Sequence, residues 1–230
     1  MMNKIIVSGC SYSISPKYDN FPSLLSNKYR CENIAISGQS NYSILKKIYD
    51  YTEKTKVKDS LFICQLTYTH RLGFYHSLTN LWIDYQPNNL NGIRTINFDF
   101  ENVPKLPSEL NINSSIRKKL EKMYKTYLRY VYDEDAEFFN LMRNVDLLKS
   151  YIEKSDNKIF FVYWPKVNQI QKQELEKRDF FNVSGEYSML NWSYDNKLTG
   201  DDSHLSSLGS HQFKLELEKQ NTLKKYLKVI

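Results

Sequence analysis

Short apolar runs along the chain alternate with stretches in which apolar residues recur every three to four positions. Lys4 to Ser8 is a β-branched run ended by Gly9, the pattern of a buried strand and its turn. Phe21 to Tyr29 predicts a short helix, with Asn20 as N-cap and Pro22 in the first turn. Cys31 to Ser37 predicts a second strand that stops at Gly38. Ser40 or Asn41 then caps a helix in which Ile44, Leu45, Ile48 and Tyr51 share one face. Ser60 to Leu66 is a third strand, and Lys158 to Trp164 a fourth, ended by Pro165. Phe180 to Val183 predicts a short fifth. Ser206 or Ser207 caps a terminal helix running toward Tyr226.

Residues 72 to 113 break this rhythm. Leu81 to Tyr85 and Ile93 to Phe100 flank Pro87-Asn88-Asn89-Leu90-Asn91-Gly92, a hairpin with a long turn. Two helices follow. One lines up Ile116, Leu120, Met123, Tyr127 and Val131. The other starts near Asp133-Glu134-Asp135, acids suited to a positive helix N-terminus, and places Phe138, Leu141, Met142, Val145, Leu148 and Ile152 inward. Strands alternating with helices imply a mainly parallel five-stranded sheet with helices on both faces, a three-layer α/β/α fold. The expected organisation is one domain over residues 1–230, with a hairpin-plus-helix insertion at about 72–130. Ligands of such sheets bind at the carboxyl ends of the strands. That rule singles out the turns after Ser8, Ser37, Leu66 and Trp164, and the loop before the last helix.

Composition changes this picture little. The chain holds 25 Lys against 7 Arg, 21 Asn, 18 Tyr and only 2 Ala, the skew of an AT-rich genome. The net charge of +6 therefore gives nucleic-acid binding little support. It is also local: Arg117 to Arg129 carries six basic residues and one acidic, and Lys214 to Lys228 five and two. Both stretches are helical in period, so they read as solvated helix faces. The longest apolar run, Ile159 to Trp164, is far too short to cross a membrane. The apolar stretch after Met1 is too short for a signal peptide. Cys10, Cys31 and Cys64 form no Cys-x-x-Cys pair, which argues for a reducing, cytoplasmic setting and against a zinc site.

The strand ends hold an unusual set of residues. The first ends in Gly9-Cys10-Ser11-Tyr12-Ser13. The second ends in Asn33-Ile34-Ala35-Ile36-Ser37-Gly38-Gln39-Ser40-Asn41. The third runs Gln65-Leu66-Thr67-Tyr68-Thr69-His70-Arg71, and Asp201-Asp202-Ser203-His204 precedes the last helix. Acyl transfer needs a nucleophile, a base, a group that orients the base, and donors for an oxyanion. Ser11 just past a strand can expose its hydroxyl, with Ser13 and the Cys10 thiol as rival nucleophiles. A His three residues after an Asp lets both side chains converge from one turn. Gly38 offers an amide that a substrate can approach, and Asn41 is either an N-cap or a substrate contact. Arg71 is placed to hold an anionic substrate group or to serve a surface ion pair.

These blocks resemble those of the SGNH (GDSL-like) hydrolases. Gly9-Cys10-Ser11 is similar to that family's Gly-Asp-Ser block, with Cys in place of Asp. The stretch from Asn33 to Asn41 resembles its second block, and Asp201-x-x-His204, with Gly209 following, its last. The resemblance implies a flavodoxin-like fold and a Ser-His-Asp triad of Ser11, His204 and Asp201, with Asp202 the rival orienter. It implies an oxyanion hole at Gly38, no metal or organic cofactor, and a small-molecule or glycan ester as partner. The family's third block carries Gly-x-Asn-Asp; here Thr67 stands near the Asn position, so either Thr67, Gln65 or another group supplies the missing donor, or activity is low or lost. The expected activity is hydrolysis of O-acyl esters. Acyl transfer by the same residues and a non-catalytic role for the same fold are the alternatives.

Overall fold

The computed structural model describes residues 4–14, 19–76, 81–88, 92–94, 114–200, 204–220 and 224. Four strands form a parallel sheet: β1 (Lys4–Ser8), β2 (Cys31–Asn33), β3 (Ser60–Leu66) and, late in the chain, Lys158–Tyr163. Three more strands lie between the third and fourth of these: β4 (Leu72–His76), β5 (Leu81–Asn88) and β6 (Gly92–Arg94). Lys158–Tyr163 is therefore β7, and the sheet order is β2-β1-β3-β7. The helices are α1 (Phe21–Ser26), α2 (Asn41–Thr55), α3 (Ser114–Tyr130), α4 (Glu134–Lys154), α5 (Gln169–Glu176), α6 (Met189–Asp195) and α7 (Ser207–Lys219).

The period-two alternation of the strands sorts their side chains onto two cores. Ile6, Phe62, Cys64, Phe161 and Tyr163 face one way and meet Ile44 and Ile48 of α2 and Phe138, Met142 and Val145 of α4. Ile5, Val7, Leu61, Ile63, Phe160 and Val162 face the other way, onto Phe21 and Leu25 of α1, Met189 of α6 and Phe213 and Leu217 of α7. All seven residues of β3 are buried, as a central strand covered on both faces requires. This is the three-layer, flavodoxin-like α/β fold.

Several expectations need correction. Among the described residues the parallel sheet has four strands, not five: Phe180 to Val183 contributes there a single ladder-like bond, Phe181 N–H to the Phe161 carbonyl at 2.9 Å. The strand expected over Cys31 to Ser37 ends at Asn33, whose side chain takes the Ala35 N–H at 3.1 Å and turns the chain. The stretch expected to be an insertion includes a strand that the pattern did not predict: β4 pairs antiparallel with β5, Leu72 opposite Tyr85 and His76 opposite Leu81. Pro87 and Asn88 belong to β5 rather than to a turn, opposite Ile93 and Gly92 of β6. The expected Ile93 to Phe100 strand lies outside the described residues beyond Arg94. No described helix is long and apolar enough to cross a membrane.

Candidate active site

Ser11 opens a one-turn 3-10 helix, Ser11–Ser13, directly after β1. Gln65, fully buried near the end of β3, pins that turn from below. Its Oε1 accepts from the Cys10 backbone N–H at 3.4 Å and from the Ser13 hydroxyl at 3.1 Å, and its Nε2 donates to the Leu66 carbonyl at 2.8 Å. The packing needs Gly9, because a Cβ there would stand 2.9 Å from both Gln65 Cβ and Oε1. Ser11 itself is only half-buried, whereas Ser13 and Cys10 are buried, so of the three rival nucleophiles Ser11 is the accessible one.

The loop after β2 runs beside this turn. The Ile36 N–H donates to the Gly9 carbonyl at 3.1 Å, and Asn33 Nδ2 donates to the Ser13 carbonyl at 3.0 Å. Gly38 follows at φ 82°, a conformation that favours glycine, and is buried. Ser40 then caps α2, its hydroxyl accepting from the Ser43 N–H at 3.2 Å. Asn41 is committed to the end of β3: Oδ1 accepts the Thr67 N–H at 2.7 Å, and Nδ2 donates to the Thr67 carbonyl at 2.8 Å. Its amide thus fixes Thr67. The Thr67 hydroxyl is buried and makes no hydrogen bond.

His204 reaches the same place from the far end of the chain. The chain narrows at a bridge between Thr199 and Leu205, the Gly200 N–H donates to the His204 carbonyl at 2.7 Å, and Ser206 caps α7. Tyr12, next to Ser11, lies flat on Trp164 at 3.9 Å between ring centroids and meets the His204 ring at 4.8 Å. One aromatic ring therefore joins the Ser11 turn, the residue after β7 and the histidine. Burial pushes the Tyr12 phenol well above its usual range, so it stays protonated and acts as a packing surface. Asp201 and its rival Asp202 lie outside the described residues.

Arg71 is buried at the start of β4. Its Nη1 donates to the Gln39 carbonyl at 3.4 Å, its guanidinium lies over the Tyr68 ring at 5.6 Å, and its Nε has no partner. His70 is held neutral, its pKa lowered to about 4 by burial and by Arg71. Asp84 of β5 went unnoticed in the sequence pattern. It is fully buried and accepts from the Ser40 N–H at 3.1 Å and from the Ser40 and Ser43 hydroxyls at 2.6 and 2.7 Å. A lone acid within the apolar run Leu81-Trp82-Ile83-Asp84-Tyr85 was the available signal. Cys31 and Cys64 are free thiols pushed up by burial. Among the described residues no group of three His, Cys, Asp or Glu side chains is placed to hold a metal.

Solved structures share this arrangement at fold level. The chain is similar to the psychrotrophic esterase EstA from Pseudoalteromonas sp., in a structure inhibited by monoethylphosphonate: 14% identity, TM-score 0.52, covering 99% of this chain and 100% of that one. It is similar to TesA at 12% identity and a TM-score of 0.54, covering 97% and 99%. It is also similar to YxiM from Bacillus subtilis at 10% identity and a TM-score of 0.54, where all of this chain spans 58% of that one. All three are SGNH/GDSL hydrolases. No family model matches the chain, and no curated protein does.

Proposed function

We propose that this chain, which has the SGNH-hydrolase fold, is a serine esterase that cleaves O-acyl esters of a carbohydrate or another small molecule. Ser11 attacks the ester carbonyl, His204 takes its proton, and Asp201 holds the imidazolium. The amides of Ser11 and Gly38 stabilise the tetrahedral oxyanion, with the Thr67 hydroxyl as a further donor. The oxyanion collapses, the alcohol leaves with the proton from His204, and water releases the acyl-enzyme by the same route in reverse.

The observation that carries this reading is the contact of Tyr12 with His204. It brings the imidazole beside the Ser11 turn from a loop at the other end of the chain. Two features support it further: an accessible serine on a turn braced by Gln65, and an unengaged hydroxyl on Thr67. The test is labelling by a fluorophosphonate, a reagent that phosphonylates activated serines. Wild type should label and Ser11→Ala should not, and His204→Ala should label at least ~100-fold more slowly. Equal labelling of wild type and Ser11→Ala would place the nucleophile elsewhere.

A further inference from the structure

Arg71 carries a charge that no described carboxylate meets in a direct ion pair. A guanidinium is ionised at any working pH, and a buried charge is strongly unfavourable unless paired. Arg71 is 8% exposed, yet its only described partners are one long bond to a neutral carbonyl and the face of Tyr68. Among the described residues no carboxylate lies within ion-pair distance of it, and its Nε is an orphan donor. The Arg71 charge acts on buried Asp84, whose Oδ1 is taken by the Ser40 and Ser43 hydroxyls and whose Oδ2 has no described partner, but the two side chains make no direct ion pair.

Arg71 also lines a cleft of about 220 Å³ between the start of α2, the start of β4 and α4. Its other polar walls are Asn41, Thr69, Asn140, Asn144 and Glu137. Glu137 accepts from the Tyr127 hydroxyl at 3.0 Å, and Thr69 is bonded to the Tyr132 hydroxyl at 2.8 Å. Asn41, which lines this cleft, also holds Thr67, and the Arg71 guanidinium lies over Tyr68 and acts electrostatically on Tyr12, the neighbour of Ser11. A substrate bound at Ser11 and long enough to pass Thr67 reaches toward Arg71.

We infer that Arg71 and this cleft form a subsite for a carboxylate carried by the ester, so that the enzyme acts on anionic esters. The inference rests on the esterase reading above. The planar fork of arginine matches a carboxylate with two parallel N–H donors, and of the Arg71 nitrogens only Nη1 has a described hydrogen bond, a long one to the Gln39 carbonyl. Asn140 and Asn144, one helical turn apart on α4, offer neutral amides on the opposite wall.

The test compares kcat/KM for 4-nitrophenyl butyrate, the mono-4-nitrophenyl ester of glutaric acid, and 4-acetoxybenzoate against phenyl acetate. The glutarate places the carboxylate on the acyl side, and the acetoxybenzoate on the alcohol side. Wild type should favour one carboxylated ester over its neutral counterpart by about tenfold or more. Arg71→Gln should bring that ratio to one or below, and Arg71→Lys should leave it intermediate. Turnover of the neutral esters with no such preference overturns the subsite and leaves the esterase standing. If no ester is turned over, the esterase reading falls. Thermal unfolding then decides the subsite: free glutarate should raise the wild-type Tm above sodium chloride of equal ionic strength, and no rise overturns the inference. Should Arg71→Gln fail to fold, the same comparison is made with Arg71→Lys, and an unchanged ratio there overturns it.

Discussion

The Asn41 side chain pairs with the Thr67 peptide as a neighbouring strand would, accepting its N–H at 2.7 Å and donating to its carbonyl at 2.8 Å. β3 ends at Leu66, so this amide continues its pairing one residue further and fixes where Thr67 stands. Both partners are buried, and a buried peptide group left unpaired costs about 1–3 kcal/mol. Asn41→Ala should therefore destabilise the protein by about 2–3 kcal/mol in urea unfolding. It should also lower kcat more than it raises KM, because Thr67 loses its register. A fully stable Asn41→Ala would show that the loop is held by other contacts.

Gln65 holds the Ser11–Ser13 turn in the same way. Its Oε1 is the acceptor for both the Cys10 N–H and the Ser13 hydroxyl. Gln65→Leu keeps the bulk but orphans two buried donors, at about 2–4 kcal/mol of stability. A turn displaced by 1 Å can lose about 100-fold in rate, so phosphonylation of Ser11 should slow by one to two orders of magnitude. Labelling at the wild-type rate in the folded variant would remove Gln65 from the positioning of Ser11.

The division between what the pattern of residues revealed and what it hid follows the range of the forces. β1, β3 and β7 were legible because strands buried on both faces are written as apolar runs. Asn20 was legible as an N-cap, and Ser40 and Ser206 each as one of two neighbouring candidates, because capping is a local contact; Asp133 was legible only as an acid near a helix start. β4 was not: Leu72-Gly73-Phe74-Tyr75-His76 is short, and its pairing depends on β5 and on the contact of Asp84 with α2. α5 hid because its inward residues are Gln171 and Leu175, with Gln171 buried by a capping box and a bond to Asp135. The residues at the strand ends were legible as a set, but the commitment of Asn41 to Thr67 is a tertiary fact that spacing does not encode.

Thr67 separates stability from chemistry cleanly. Its hydroxyl is buried and unpartnered, so nothing in the described fold depends on it. Thr67→Val removes the hydroxyl and keeps the shape, and relief of an unsatisfied buried group predicts equal or greater stability. If the hydroxyl donates to the oxyanion, kcat should fall by ~10- to 100-fold, below the full effect of a dedicated amide donor. Thr67→Ser should recover most of that loss. A Thr67→Val enzyme with wild-type kcat would assign the oxyanion wholly to backbone amides.

Asp84 predicts a pH dependence whose sign can be worked out. Burial raises its pKa from 3.8 to about 6, outweighing the hydrogen bonds from Ser40 and Ser43 and the charge of Arg71. Between those two values the folded protein holds a proton that the unfolded chain has released. Stability contributed by the protonated group is therefore complete below about pH 4, declines as the pH rises through 6, and is constant above it. The displacement bounds the change at about 3 kcal/mol. Asp84→Asn cannot titrate, so the difference in urea stability between wild type and this variant should shift against the wild type from pH 4 to pH 7. A difference that stays level across that range would show that the carboxyl is ionised throughout, held by the donors at the start of α2.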